Sequence, residues 1–254
     1  MQEIIKLAGV SKVFVSEKGQ EVLAVDNVSI VVNESEFVCL LGPSGSGKST
    51  ILRMLAGLTP VTAGKVEVLG QEVRSPRSEA SMVLQDYSLL PWRSVVENVA
   101  FGLELRKVPK EERLRIAHEM VELVGLGEFA HASPYELSGG MQQRAAIARA
   151  LATNPRILYM DEPFGALDAF TRRQMQQELL SLWLKDKKTV VFVTHSVEEA
   201  VYLATRIIVM SARPGRVIAD FPVDIPYPRR SSDVAFGKMV DDLMHMLMEL
   251  AYER

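Results

Sequence analysis

Cysteine is nearly absent from the 254 residues. Cys39 stands alone, so no disulfide can form within the chain and a secreted, disulfide-stapled scaffold is excluded. Long apolar runs are missing as well: no stretch approaches the ~18 uninterrupted apolar residues that a membrane-crossing helix needs. The opening Met1-Gln2-Glu3-Ile4 carries an acid where a secretory leader would have a basic head and an apolar block, so no signal peptide is expected. An excess of one charge is missing: 29 basic against 32 acidic residues give a net charge of -3. That balance argues against a chain whose main work is gripping nucleic-acid phosphates. His118, His131 and His245 lack metal-ligand spacing and are assigned to surface or packing. Internal repeats and low-complexity segments are also lacking. What remains is 48% apolar and 24% charged, an ordinary globular composition, long enough to bury a core as one large domain or two intimate ones.

The order of local patterns points to an α/β protein. Residues 4–15, 22–32 and 36–41 are rich in Val, Ile and Leu and read as strands. Residues 157–160 and 189–194 are short continuous apolar runs, as expected of strands covered on both faces in a parallel sheet. Helices are predicted where Ser94…Glu97 and Ser196…Glu199 fit the capping box. Leu114, Ala117, Met120, Val121 and Val124 recur at helical spacing before Gly125, and residues 141–152 form another helix stopped by Asn154-Pro155. Met175, Leu179 and Leu182 mark a further helix. The spacing thus predicts a core of residues 1–85 and 156–221, an inserted helical unit at 86–155, and a tail at 222–254. In the tail, Phe236, Met239, Val240, Leu243, Leu247 and Leu250 give an apolar stripe that packs on its own domain or covers a partner.

Two motifs carry chemistry. Gly42-Pro43-Ser44-Gly45-Ser46-Gly47-Lys48-Ser49 matches G-x-x-x-x-G-K-[ST], with strand before it and helix from Thr50 after it. Its glycines let backbone N–H groups turn toward phosphate oxygens, and the helix end adds its positive pole. Lys48 is placed to reach β- and γ-phosphates and the Ser49 hydroxyl to bind Mg²⁺. That implies a nucleoside triphosphate, without choosing among kinase, GTPase and motor. Downstream, Ile157-Leu158-Tyr159-Met160-Asp161-Glu162 is an apolar strand delivering two acids at its C-terminal end, where ligands of open parallel sheets sit. Alternation along the strand would point Asp161 toward the metal shell and Glu162 toward an attacking water. The Asn-Lys-x-Asp base reader of G proteins and a nucleoside-monophosphate kinase lid are absent.

Leu137-Ser138-Gly139-Gly140-Met141-Gln142-Gln143-Arg144, about twenty residues before Asp161, resembles the signature of ATP-binding cassette (ABC) ATPases. Over residues 4–220 the rest of that family's pattern follows in order. Gln85 resembles the Q-loop glutamine, Ala166-Leu167-Asp168 the D-loop, His195 the switch histidine, and Phe14 the aromatic that stacks on adenine. The resemblance implies a P-loop NTPase core with a mainly parallel sheet, an N-terminal antiparallel β region and an inserted α-helical subdomain. It implies ATP and Mg²⁺ as ligands, with Ser49, Gln85 and Asp161 toward the metal and Glu162, His195, Gln85 and Lys48 in hydrolysis. It also implies a head-to-tail dimer, in which Ser138, Gly139 and Gly140 of one subunit bind the γ-phosphate held by the other.

One cassette without a membrane segment resembles the separate ATPase subunit of a bacterial importer. Residues 89–99 (Leu-Leu-Pro-Trp-Arg-Ser-Val-Val-Glu-Asn-Val), Met141 and Ala212-Arg213-Pro214-Gly215-Arg216 resemble the nitrate/sulfonate/taurine branch. Met141 departs from the glutamine more common in the superfamily but suits that branch. Arg213-Pro214-Gly215-Arg216 also reads as a type II turn. The branch implies an integral-membrane permease docked near Tyr87, Leu89, Leu90, Pro91 and Trp92, indirectly a solute-binding protein, and a peripheral place on the cytoplasmic face of the membrane. The alternatives are a soluble ABC ATPase acting on DNA or ribosomes, which usually carries two cassettes or a coiled-coil insertion, and a small-molecule kinase, which has no use for Leu137-Ser138-Gly139-Gly140.

Overall fold

A computed structural model describes residues 2–252. The chain begins with strands β1 (Glu3–Val15), β2 (Glu21–Asn33) and β3 (Phe37–Leu41), then helix α1 (Lys48–Leu55) and strands β4 (Ala63–Val68), β5 (Gln71–Glu72) and β6 (Ala80–Val83). Helices α2 (Val95–Leu105), α3 (Lys110–Leu123) and α4 (Gly139–Ala152) precede strand β7 (Ile157–Asp161), and α5 (Ala169–Asp186) follows it. Strand β8 (Thr189–Thr194), helix α6 (Val197–Leu203), strands β9 (Arg206–Met210) and β10 (Val217–Pro222) and helix α7 (Val234–Tyr252) complete it. No helix of the described residues is long and apolar enough to cross a membrane.

Two compact units form, one from the chain up to Arg77 and from Lys188 onward, the other from Ser78–Lys187. These divisions differ from the 85/86 and 155/156 boundaries expected from the loss of strand pattern. β6, β7 and α5 group with the helices, and the tail groups with the first unit. A local pattern shows where strands stop, not which neighbours a strand keeps.

In the first unit β1 is flanked antiparallel by β2 and β4, and β4 by β5. A second sheet runs β10-β9-β3-β8, with β3 parallel to both β8 and β9 and β10 antiparallel to β9. Every residue of β3 and β8 is buried, which is why these runs show no polar alternation. Phe37 and Phe192 meet with ring centroids 5.8 Å apart. Each large side chain so buried contributes about 1.5–3 kcal/mol. Cys39 lies in this core, and burial, with Glu199 nearby, pushes its thiol well above the ordinary range. In the tail, Phe236 and Leu243 of the apolar stripe are buried and α7 packs on α6, while Met239, Val240, Leu247 and Leu250 are half-buried.

In the second unit α2, α3 and α4 pack together, and β6 runs parallel to β7. α4 buries Ala145, Ala146, Ala148 and Ala150, whose small side chains let neighbours approach closely, together with Ile147. The Ser94–Glu97 capping box forms at the start of α2, and Gly125 (φ 65) follows α3 in the left-handed conformation of a helix stop. At Ser196 the hydroxyl accepts from Glu199 N at 3.3 Å.

Candidate nucleotide site and signature turn

The phosphate loop follows β3 and enters α1. Gly47 is the N-cap of α1 with φ 77, a conformation that suits glycine, and a Cβ there would stand 2.8 Å from Ala24 O. Lys48 is buried, and its ammonium donates to Gly42 O and Pro43 O at 2.8 Å each and to Ser46 Oγ at 3.0 Å. The loop thus surrounds a cation with its own oxygens. Ser44 and Gly45 are exposed at the crown, and Ser49 and Thr50 are half-buried in the first turn of α1.

Residues 211–216 buttress this loop, and not as the expected type II turn. Gly215 lacks the positive φ that such a turn requires at its third position. Gly215 instead joins the backbone of the first strands, donating to Ala24 O and accepting from Asp26 N, both at 3.0 Å. Its missing side chain matters because a Cβ would run into the Ser46 carbonyl. Arg216 pairs with Asp26 at 2.6 Å and pins the segment.

His195 lies in the same unit, exposed just after β8, where the following Ser196 caps α6. Phe14 lies on β1 opposite Val22, is 44% exposed, and has the Lys12 ammonium 5.0 Å from its ring centroid. It is therefore not a core residue.

The second unit holds the acids and the signature. Asp161 ends β7 and is buried, whereas Glu162 is half-buried beyond the strand with φ 45. The backbone turns left-handed at Glu162, so strand alternation stops at Asp161. The turn that follows is laced to two helices. Gly165 N donates to Glu162 O (3.1 Å) and Leu167 N to Phe164 O (3.2 Å). Arg172 of α5 donates to Phe164 O and Leu167 O. Gln143 of α4, 1% exposed, donates through Nε2 to Glu162 O at 3.2 Å and accepts from Ala166 N at 3.0 Å. Asp168 caps α5, accepting from Phe170 N and Thr171 N at 3.0 Å each. Hydrogen bonds from Thr171 hold its carboxyl below the usual carboxylate range.

Ser138 caps α4 through Met141 N at 3.3 Å, leaving Gly139 exposed and Gly140 half-buried at the helix end. A Cβ built on Gly140 would lie 3.3 Å from Leu167 Cδ2, so the signature helix sits down on the segment that precedes Asp168. Gln85 is exposed in the loop after β6. That loop is tied to α4 by Arg149, which donates to Ser88 O (2.6 Å) and Tyr87 O (2.9 Å). The next turn is pinned by buried Asn98, which accepts from Leu90 N at 2.7 Å and donates to Leu90 O, Arg93 O and Ser94 O.

The first unit therefore assembles Gly42 to Thr50 into one loop and helix end and also holds Phe14 and His195. The second assembles Ser138 to Gly140 with the 161–168 turn. Gln143, Arg149, Arg172 and Asn98 were not singled out from sequence. Gln143 stood inside the quoted signature, but only burial distinguishes it from Gln142. Among the described residues no cluster of three or more His, Cys, Asp or Glu forms a metal cage. Ser49 in the first unit and Asp161 in the second each carry a hard oxygen of the type that Mg²⁺ prefers.

Residues 25–165 match the ABC transporter family model. An uncharacterized ABC transporter ATP-binding protein of Methanocaldococcus jannaschii is 49% identical over 98% of this chain and 93% of its own length. The taurine import ATP-binding protein TauB of Rhizobium johnstonii is 50% identical over 93% of this chain and 90% of its own. The nitrate import ATP-binding protein NrtD of Synechocystis sp. is 45% identical over 87% and 83%. Among solved structures, a dimeric post-hydrolysis ATP-binding cassette bound to ADP and Pi matches with a TM-score of 0.80 at 35% identity, covering 88% of this chain and all of that one. With its signature, phosphate loop and acid-tipped strand in the family's order, this chain belongs to the ABC transporter family, as an ATP-hydrolysing cassette.

Proposed function

We propose that the chain is the ATPase subunit of an importer for a small anionic or related solute of the nitrate, sulfonate or taurine type. It works as a pair of copies beneath an integral-membrane permease, on the cytoplasmic face of the membrane, with a solute-binding protein supplying cargo. The carrying observation is the fully built phosphate loop, with a buried Lys48 ammonium already surrounded by oxygens. Taurine and nitrate import relatives matching most of the chain support the transport reading. They lend nothing to the DNA or ribosome alternative.

The chemistry follows from the residues. Triphosphate oxygens replace Gly42 O, Pro43 O and Ser46 Oγ around Lys48, and the N-terminal end of α1 faces the phosphates. Ser49, Gln85 and Asp161 would hold Mg²⁺, which supplies charge neutralisation on the phosphates when bound. Phe14 stacks on adenine. Glu162 orients the attacking water and takes its proton, His195 contacts the γ-phosphate, and Gln85 reports its presence to the loop that Arg149 and Asn98 hold. Ser138, Gly139 and Gly140 meet the γ-phosphate of the partner copy, and Asp168 lies in the D-loop beside that contact. Binding closes the pair and hydrolysis loosens it, a two-state switch biased by one phosphoryl group. Trp92, 75% exposed beside Pro91, offers the permease an apolar contact on a turn that Asn98 keeps rigid.

Glu162→Gln tests this reading. ATP binding should survive, turnover should fall by about 10² or more, and gel filtration with ATP should show a trapped dimer. Hydrolysis at the wild-type rate would remove Glu162 from its role.

A further inference from the structure

The direction of the Glu162 carboxylate is set by the backbone that carries it. Glu162 holds φ 45, a region L-residues rarely adopt, so neighbouring groups must impose it. The peptide carbonyl that follows its Cα is one that Gln143 grips, at 3.2 Å, and the same amide accepts Ala166 N at 3.0 Å. One side chain thus holds both ends of the 162–166 segment. Gln143 is 1% exposed and stands in the second turn of α4, whose first turn is the Ser138-capped signature end. Gly140 leaves that end room to rest on Leu167. Arg172 fixes the middle of the segment to α5 but touches only Phe164 O and Leu167 O. Gln143 thus joins the signature helix directly to the carbonyl of Glu162.

We infer that Gln143 is a positioning residue for hydrolysis: its buried amide makes the aim of Glu162 depend on the seat of α4. The inference rests on the proposed roles of Glu162 and of the signature end. Under that reading, an ATP pressed against Ser138–Gly140 from the partner copy seats α4 and thereby sets the water-activating carboxylate of this chain's own site. The two sites of the pair are then linked through one amide in each copy. Gln143 itself touches no nucleotide.

The test is Gln143→Met, which keeps the volume and loses both hydrogen bonds. A displaced carboxylate is costly, since misplacement of about 1 Å can lower a rate on the order of 10²-fold. The expected result is a kcat at least ~10-fold lower with KM for ATP unchanged within ~2-fold. Nucleotide binding, thermal midpoint and the ATP-trapped dimer in the Glu162→Gln background should be retained. A folded variant with wild-type kcat overturns the inference, as does a kcat loss matched by equal losses of ATP affinity and dimer, which would mark a merely structural residue. If Gln143→Met does not fold, Gln143→Leu takes its place: it is close in volume and can neither donate to Glu162 O nor accept from Ala166 N, and the same kcat-against-KM split decides. Glu162→Gln run in parallel separates the two claims. Normal turnover there defeats the proposed function itself, while blocked turnover there beside a fully active Gln143 variant defeats only this inference.

Discussion

At the residue scale, Lys48 shows how a motif becomes a binding site. Its ammonium is buried, so it must be met by oxygens, and the loop supplies three. A triphosphate offers the same donor stronger, charged acceptors. Hydrogen bonds to charged groups contribute about 1.5–3 kcal/mol each, so Lys48→Ala should weaken ATP binding at least ~10-fold. Isothermal titration with a non-hydrolysable analogue measures it, and unaltered affinity would contradict the phosphate-loop assignment. Lys48 and its glycines were legible in sequence because every position of that motif answers a local demand. Glu162 was only half legible. Its acid type and its place after an apolar strand pointed to the role, but its left-handed backbone could not be read, because period-two alternation treats it as one more strand residue. Gln143 was illegible: nothing local couples residue 143 to 162 and 166.

At the scale of elements, the link between β10 and α7 shows the same division. In sequence Pro226, Pro228, Arg229 and Arg230 together suggest an extended link, which gives no sign that Arg229 is buried and donates to Val201 O and Ala204 O at the end of α6, as well as to Ile225 O and Val223 O. It closes the carbonyl end of the helix that Ser196 opens, placing a cation where the helix dipole favours one. The Tyr227 ring lies under its guanidinium at 4.1 Å, and the Tyr227 hydroxyl donates to Leu203 O at 2.7 Å. Burial pushes the Tyr227 phenol up to about 12. Unfolded, the phenol ionises near pH ~10. Between those values the folded chain keeps a proton that the unfolded chain has lost, so this contribution is full below pH ~10 and disappears as pH rises toward the folded value. Unfolding free energies from denaturant titrations between pH 9 and 12 should therefore fall more steeply for the wild type than for Tyr227→Phe, by an amount on the order of 2 kcal/mol. Parallel curves would show that the phenol bears no such load.

For the whole molecule, the family was legible because six short motifs stand in one order, each constrained by phosphate chemistry rather than by distant packing. The α/β class followed from strand patterns that the structure bears out within one or two residues, and the antiparallel start of the chain from the family resemblance. The grouping into compact units was not legible, since β6 and β7 look like any apolar strands and only their neighbours place them. Assembly adds the last level. Under the proposed function Ser138→Arg should leave nucleotide binding by the single chain intact and abolish the ATP-dependent dimer of the Glu162→Gln background, by light scattering. It also removes a cap contributing about 0.5–2 kcal/mol, so a modest loss of stability is expected alongside. A dimer that persists would mean the signature end is not where the copies meet.

The solitary thiol of Cys39 lies in a strand buried on every residue, and its ionisation is suppressed. Thiolate, not thiol, is the nucleophile toward alkylating dyes. The native chain is thus chemically silent to such reagents, and a fluorophore attached at an engineered surface cysteine would report from that place alone. Slow labelling of the unaltered protein would instead time the rare openings that bring β3 to water, a stopwatch for global unfolding that needs no substitution.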